Sequence, residues 1–244
     1  MPDTTEGCSD SRLGVSFIIS PDREKLEALA EFAAGAGHEI NNPLATIIGR
    51  AQMLLKDEAD PQKRQMLMSI GAQAYRIRDM IGDTMLFGRP PCPEFQVVNL
   101  AEVVSRVLAK HNGDFANGCS TVSVHVPESI VLRADPTQLS IVLSELLRNS
   151  LQALQPCGGG EIQISATADG EKAFIEMTDR GVGFRDDEKE HAFDPFFSGR
   201  QAGRGLGFGL PKCWRIIDQH SGQIEIQSTP SGPTAVRSVW PIAT

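Results

Sequence analysis

The sequence predicts an α+β chain in two parts: an antiparallel helical hairpin that pairs with a second copy as a four-helix bundle, then a two-layer α/β sandwich on a mixed sheet. Three observations predict it. From Asp22 to Gly88 apolar residues recur in steps of three and four, the helical period, interrupted by one short turn. Arg89-Pro90-Pro91-Cys92-Pro93 then stops the helix and makes a stiff linker. Beyond it, alternating and β-branched stretches interleave with three amphipathic helices, the pattern of a sheet with helices on one face.

The elements follow in order. Ser20-Pro21-Asp22 is a helix start with proline in the first turn, and the helix runs to about Lys56, with a seam of Leu26, Leu29, Ala33, Ala36 and Ile40, resumed at Leu44, Ile47, Ala51 and Leu54. Asp60 caps a second helix opened by Pro61, with a seam of Leu67, Ile70, Ala74, Ile77 and Ile81. One hairpin cannot bury both its faces, so a homodimer is expected. The second part reads as a strand at 95–99, a helix at 100–111, strands at 121–126 and 130–133, a helix at 136–154, a hairpin of strands across Asp169-Gly170, a helix at 210–220 and two closing strands. The expected division is a tail over 1–20, a hairpin domain over 21–89, a linker over 90–94 and a second domain over 95–244.

Composition narrows the function classes. A net charge of −8 without a clustered Lys/Arg stripe argues against nucleic acid as a partner. The five cysteines are odd in number, scattered and without metal spacing, which fits reduced thiols in a cytoplasmic protein. No apolar run is long enough to span a bilayer, and the polar, acidic start at Met1–Arg12 is not a signal peptide.

The chemistry is expected at Gly37-His38-Glu39-Ile40-Asn41-Asn42-Pro43-Leu44. His38 lies two residues from both Ala36 and Ile40 and so points off the apolar seam. Pro43 cannot donate to the carbonyl of Glu39, and Gly35 and Gly37 weaken the same turn, so a bend is expected just past the histidine. A zinc pair of the His-Glu-x-x-His kind is incomplete, because Asn42 stands at its second position. What remains is an imidazole beside a carboxylate, a nucleophile in need of an electrophile.

Four patches of the second part supply a candidate holder. Glu145, Arg148, Asn149 and Gln152 recur at helical spacing and put a carboxylate, a guanidinium and two amides on one face. Asp179-Arg180-Gly181-Val182-Gly183 follows a strand and suits close backbone approach. Phe193-Asp194-Pro195-Phe196-Phe197-Ser198-Gly199-Arg200 sets aromatic residues beside a polar loop. Gly203-Arg204-Gly205-Leu206-Gly207-Phe208-Gly209-Leu210 runs into a helix N-terminus and leaves backbone amides to wrap phosphate. It is neither a Walker A loop nor a dinucleotide fingerprint.

In order and spacing these patches resemble the ATP-binding domain of two-component sensor histidine kinases, and the His38 stretch resembles their phosphoacceptor box. The resemblance spans about residues 22 to 241, and His-Glu-Ile-Asn-Asn-Pro-Leu with Arg-Asn-Ser-Leu-Gln-Ala-Leu is closest to the nitrogen-regulation branch. It implies a Bergerat-type fold, ATP and Mg²⁺ as cofactors, a homodimer, and an aspartate of a response-regulator receiver domain as phosphoryl acceptor, with room for a separate sensor protein. On that resemblance His38 accepts the γ-phosphoryl group, Glu39 orients and deprotonates it, and Asn42 positions water for dephosphorylating the regulator. Asn149 matches the Mg²⁺-binding asparagine, with Glu145 as an accompanying contact. Asp179 matches the acceptor of the adenine amino group, with Gly181 and Gly183 admitting the base. Gly203, Gly205, Leu206, Gly207, Gly209 and Leu210 match the phosphate side, Phe196 and Phe197 the anchor of the lid. Arg148, Arg200 and Arg204 are the candidates for phosphate contact. The sequence departs from the pattern at Ser198-Gly199-Arg200, usually Thr-Thr-Lys, at Phe208, usually leucine, and at Ser221, usually glycine. Serine-directed kinases of the same ATPase superfamily lack a histidine hairpin, so residues 22 to 88 discriminate against them.

Overall fold

A computed structural model describes residues 23–88, 90–197 and 207–243; the side chains of Leu26, Leu29, Ala33 and His38 lie outside the described set. Helix α1, Arg23–Asp57, runs on through Pro43 without interruption, so the proline removes a donor without ending the helix. Asp60 accepts from the Gln62 backbone N–H at 2.9 Å, and Pro61 opens α2, Pro61–Gly88, which packs along α1.

The seam between α1 and α2 differs from the expected one. Leu44, Ile48, Ala51 and Ala74 are buried, whereas Ile40, Ile47, Leu54, Ile70 and Ile77 remain exposed. Each helix carries two apolar stripes, and a three-four count does not say which one faces the other helix. Gly37 has a packing reason: a Cβ there would run into the Met85 side chain on α2.

The second part begins with β1, Gln96–Asn99, antiparallel to β3, Val131–Ala134. Helix α3, Leu100–Lys110, starts where Asn99 accepts from the Glu102 N–H at 3.1 Å; α4, Asn112–Gly118, leads into β2, Ser120–His125. Helix α5, Pro136–Leu154, is capped by Asp135, which accepts from the N–H groups of Thr137 and Gln138 at 2.8 and 3.0 Å. Strands β4, Gly160–Asp169, and β5, Lys172–Asp179, follow, then α6, Asp186–Glu190, α7, Gly209–Gln219, β6, Gln223–Ser228, and β7, Thr234–Pro241. The five-stranded sheet has the order β2-β4-β5-β7-β6, with β2 parallel to β4 and the other pairs antiparallel. It is the mixed sheet expected. Alternate residues such as Ile162, Ile164, Ile175 and Met177 pack with Leu139, Leu143, Leu147, Ile216 and Ile217 of α5 and α7 in one core.

The linker lies on the second part. The Pro91 carbonyl accepts from Gln138 Nε2 at 2.9 Å, and the Glu94 N–H donates to Asp135 Oδ2 at 2.9 Å. Behind this staple the Asp135 N–H donates to His220 Nε2 at 3.0 Å, which leaves Nδ1 to carry the proton shared with the Ile216 carbonyl at 2.8 Å. His220 is therefore neutral, and its burial lowers its pKa against the pull of Ile216 and Asp135.

Candidate active site

Between α5, the end of β5 and the start of α7 lies a cleft of about 390 Å³. Its floor is the polar face of α5, and Glu145, Arg148, Asn149 and Gln152 all line it, as their spacing predicts. The helix places them because its opposite face, Leu139, Leu143, Leu146 and Leu147, is locked in the core.

At one end sits Asp179, the last residue of β5, 4% exposed. Its Oδ1 accepts from the Gly181 N–H at 2.9 Å, yet burial outweighs this bond and that of Ser150 and pushes the carboxyl above its ordinary range. Gly181 and Gly183, expected to admit a ligand, also have a backbone reason, and Gly183 lines the cleft. A Cβ on Gly181 would meet the Ala153 backbone, and Gly183, at φ +67°, would meet the Thr229 carbonyl. Both glycines let the strand-end loop close on the protein's own backbone, and the Val182 N–H donates to the Ala153 carbonyl at 3.1 Å.

At the other end α7 enters. Gly207, at φ +69°, fits against the Phe196–Phe197 backbone; Gly209 is the glycine that faces the polar groups, with a Cβ there 3.2 Å from Glu145 Oε2. Leu210 lines the cleft beside it. Phe197 lines the wall, while Phe196 is largely exposed, at φ +65°, with its ring edge-on to Phe208 at 4.7 Å. Arg200, Gly203, Arg204, Gly205 and Leu206 lie outside the described residues.

Glu145 is the electrostatic centre. Burial pushes its carboxyl up, but the Arg148 hydrogen bond and the charge and hydrogen bond of Lys212 outweigh this and hold it below its ordinary range. Lys212 Nζ stands 2.7 Å from Glu145 Oε1 and 2.8 Å from Asp83 Oδ1 of α2. Burial works against its charge, yet the two carboxylates raise its pKa. Lys212 and Asp83 were missed in the sequence. Lys212 carried a signal, since it stands four residues before the buried Ile216, on the apolar stripe of α7; Asp83 carried none.

On the hairpin, Glu39 and Asn42 are exposed, and the Asn42 carbonyl accepts from Thr46 Oγ1 at 3.2 Å. Asn41, one turn past His38, reaches Met85 Sδ with its amide at 3.9 Å. His38 and its neighbours thus sit at the height of the Ile81–Met85 turn of α2, the turn that carries Asp83.

Residues 28–92 match the His Kinase A (phospho-acceptor) domain, and residues 134–244 match the histidine kinase-, DNA gyrase B- and HSP90-like ATPase family. The chain joins the two domains of a histidine kinase core. Curated relatives agree. This kinase core is 34% identical over 224 residues to the sensory histidine kinase/phosphatase NtrB of Salmonella typhimurium, covering 85% of the chain and 62% of the relative. It is 26% identical over 246 residues to sporulation kinase C of Bacillus subtilis, covering 99% of the chain and 56% of the relative. The chain spans less than two thirds of either. Among solved structures, full-length ShkA in complex with AMPPNP shares the fold, with a TM-score of 0.75 at 18% identity over 88% of this chain and 46% of that one. The ATPase-type domain indicates ATP binding, and the phospho-acceptor domain implies dimerisation. No helix among the described residues is long and apolar enough to cross a membrane.

Proposed function

We propose that the kinase core uses ATP to phosphorylate its own His38 and passes the phosphoryl group to an aspartate of a response-regulator receiver domain. The observation that carries this is the wall of the cleft: Asp83, from the hairpin, lines it together with Glu145, Asn149 and Asp179. The nucleotide site and the phosphoacceptor turn are therefore neighbours. The division into hairpin, linker over 90–94 and catalytic part is supported by the helix end at Gly88 and the first strand at Gln96.

Each group has a chemical task in this reading. Asp179 accepts from the exocyclic amine of adenine. Asn149 offers an oxygen donor of the kind Mg²⁺ takes, completed by substrate phosphates rather than by an all-protein cage, and Glu145, whose two oxygens are held by Lys212 and Arg148, would reach the metal through water. Among the described residues no three His, Cys, Asp or Glu side chains form such a cage. Mg²⁺ would neutralise charge on the β- and γ-phosphates. Glu39, beside His38, holds a ring proton so that the other ring nitrogen attacks the γ-phosphorus; the bond to the bridging oxygen breaks and ADP leaves. Arg148, which lines the cleft, is proposed for a phosphate contact, as are Arg200 and Arg204. The protein's contribution is positioning and charge, as in phosphoryl transfer generally.

A second activity is favoured by Asn42, an exposed amide four residues past His38. It suits water positioning for dephosphorylation of the same regulator, in line with the similarity to NtrB, a sensory histidine kinase/phosphatase. Incubation with γ-labelled ATP tests the main reading. The label should be acid-labile and base-stable, absent in His38→Gln, and absent in Asn149→Ala through lost nucleotide binding. A label that survives His38→Gln places the acceptor elsewhere and overturns the assignment.

A further inference from the structure

We propose that Lys212 is a positioning residue whose ammonium, shared between Asp83 of the hairpin and Glu145 of the nucleotide cleft, sets the register of the catalytic part against the phosphoacceptor turn. The inference rests on the kinase reading above but concerns a contact that reading does not require.

Four observations carry it. Lys212 Nζ meets Asp83 Oδ1 at 2.8 Å and Glu145 Oε1 at 2.7 Å, with the lysine and glutamate side chains 7% and 8% exposed. A lysine so enclosed, with a carboxylate on either side, commits two of its three donors and its charge to those partners. The second oxygen of Glu145 is held by Arg148, so the charges of Asp83, Lys212, Glu145 and Arg148 balance in one chain of contacts from α2 to α5. Beside this chain Phe208 packs on Phe87, both 2% exposed, with centroids 6.0 Å apart, and Phe196 stands edge-on to Phe208 at 4.7 Å. That aromatic seam keeps water from one flank of the ion bridge and extends the joint to the residues before α7. Finally, Asp83 lies on the turn that packs against Gly37 and Asn41. The bridge fixes the height of the cleft at the level of His38, and it ties any rotation of that turn to the carboxylate beside Asn149.

Misplacing a reacting group by about 1 Å can slow transfer roughly a hundredfold while binding is retained. The test uses the full chain with Asp83→Asn, Lys212→Met, both together, and the charge-keeping Lys212→Arg and Asp83→Glu. Three readouts are followed: affinity for a fluorescent ADP analogue with Mg²⁺, His38 labelling at saturating ATP, and hydrogen exchange of residues 80–88. Asp83→Asn should leave affinity within about twofold, slow labelling by about tenfold or more, and deprotect residues 80–88. The double variant should be no worse than Lys212→Met, and the charge-keeping variants should recover most of the rate. Unchanged labelling and exchange in Asp83→Asn would overturn the proposal, whatever Lys212→Met does, since Lys212 would then serve Glu145 alone. A loss of nucleotide affinity in Asp83→Asn equal to the loss of rate would also overturn it. If the unaltered chain failed to label His38, the kinase reading would fall, and hydrogen exchange would still decide whether the bridge joins the two parts.

Discussion

Asp179 shows how one buried carboxyl at the end of the cleft works against stability. Its pKa is raised in the folded chain, so the fold favours the neutral acid; that contribution is present at low pH and is lost as pH rises above the ordinary carboxyl range. Above that range, ionising Asp179 costs the folded chain more than the unfolded one, which solvates the anion freely. Asp179→Asn keeps an oxygen for the Gly181 N–H and removes the anion. It should raise the thermal midpoint at pH 7, by an amount that shrinks as pH approaches 4, while weakening nucleotide binding by about ten- to a hundredfold through the lost bond to the adenine amine. Scanning calorimetry across pH and a nucleotide titration check the two halves. At the same scale Ser221 explains its own oddity. It follows α7 at φ +57°, a left-handed position that favours the glycine usual there.

At the scale of elements, legibility followed periodicity. Helix α5 was readable because its 19 residues carry a capping Asp135, Pro136 in the first turn, and a polar face separated from a leucine-rich one. Strands β4 and β5 were readable from alternation across Asp169-Gly170. Helices α4 and α6, of 7 and 5 residues, complete at most two turns, too few to show a period, and they were absent from the expected set. The hairpin seam was misread at Ile47 because a helix that meets one neighbour within the chain and another in a bundle is apolar on two sides. The exposed set is informative in that light: Ile40, Ile47 and Leu54 on α1, and Ile70 and Ile77 on α2, recur every seven residues. A second copy is the partner that stripe fits. Ile47→Glu with Ile77→Glu should yield a monomer in sedimentation experiments while leaving the cleft able to bind nucleotide; a persistent dimer would place the interface elsewhere.

For the whole molecule, what the sequence left unread is the relation between its two parts. Glu145, Asn149 and Asp179 could be gathered into one site from spacing and resemblance, because each sits on an element whose face is fixed by its own core. The Asp83–Lys212 pair joins residues 129 apart, and no local pattern predicts which surfaces two separately folded parts present to each other. The linker is equally unreadable in its docking, since its prolines announce stiffness but not the Gln138 and Asp135 contacts that hold it. Inserting six Gly/Ser residues between Arg89 and Pro90 should leave nucleotide affinity within about twofold and slow His38 labelling, by lowering the local concentration of cleft around histidine. Equal labelling rates would show that tether length is immaterial.

The stapled linker also limits travel. Between Gly88, where α2 ends, and Pro91, whose carbonyl is fastened to α5, only three peptide steps are available, a span of about 10 Å at full extension. A nucleotide carrier on so short a leash cannot roam to distant acceptors while it stays fastened; it can only pivot beside the rod it hangs from. Wider excursions must first peel Pro91 and Glu94 from α5, exposing the Asp135 cap, so the freedom of the carrier and the integrity of that helix start are governed by the same few bonds.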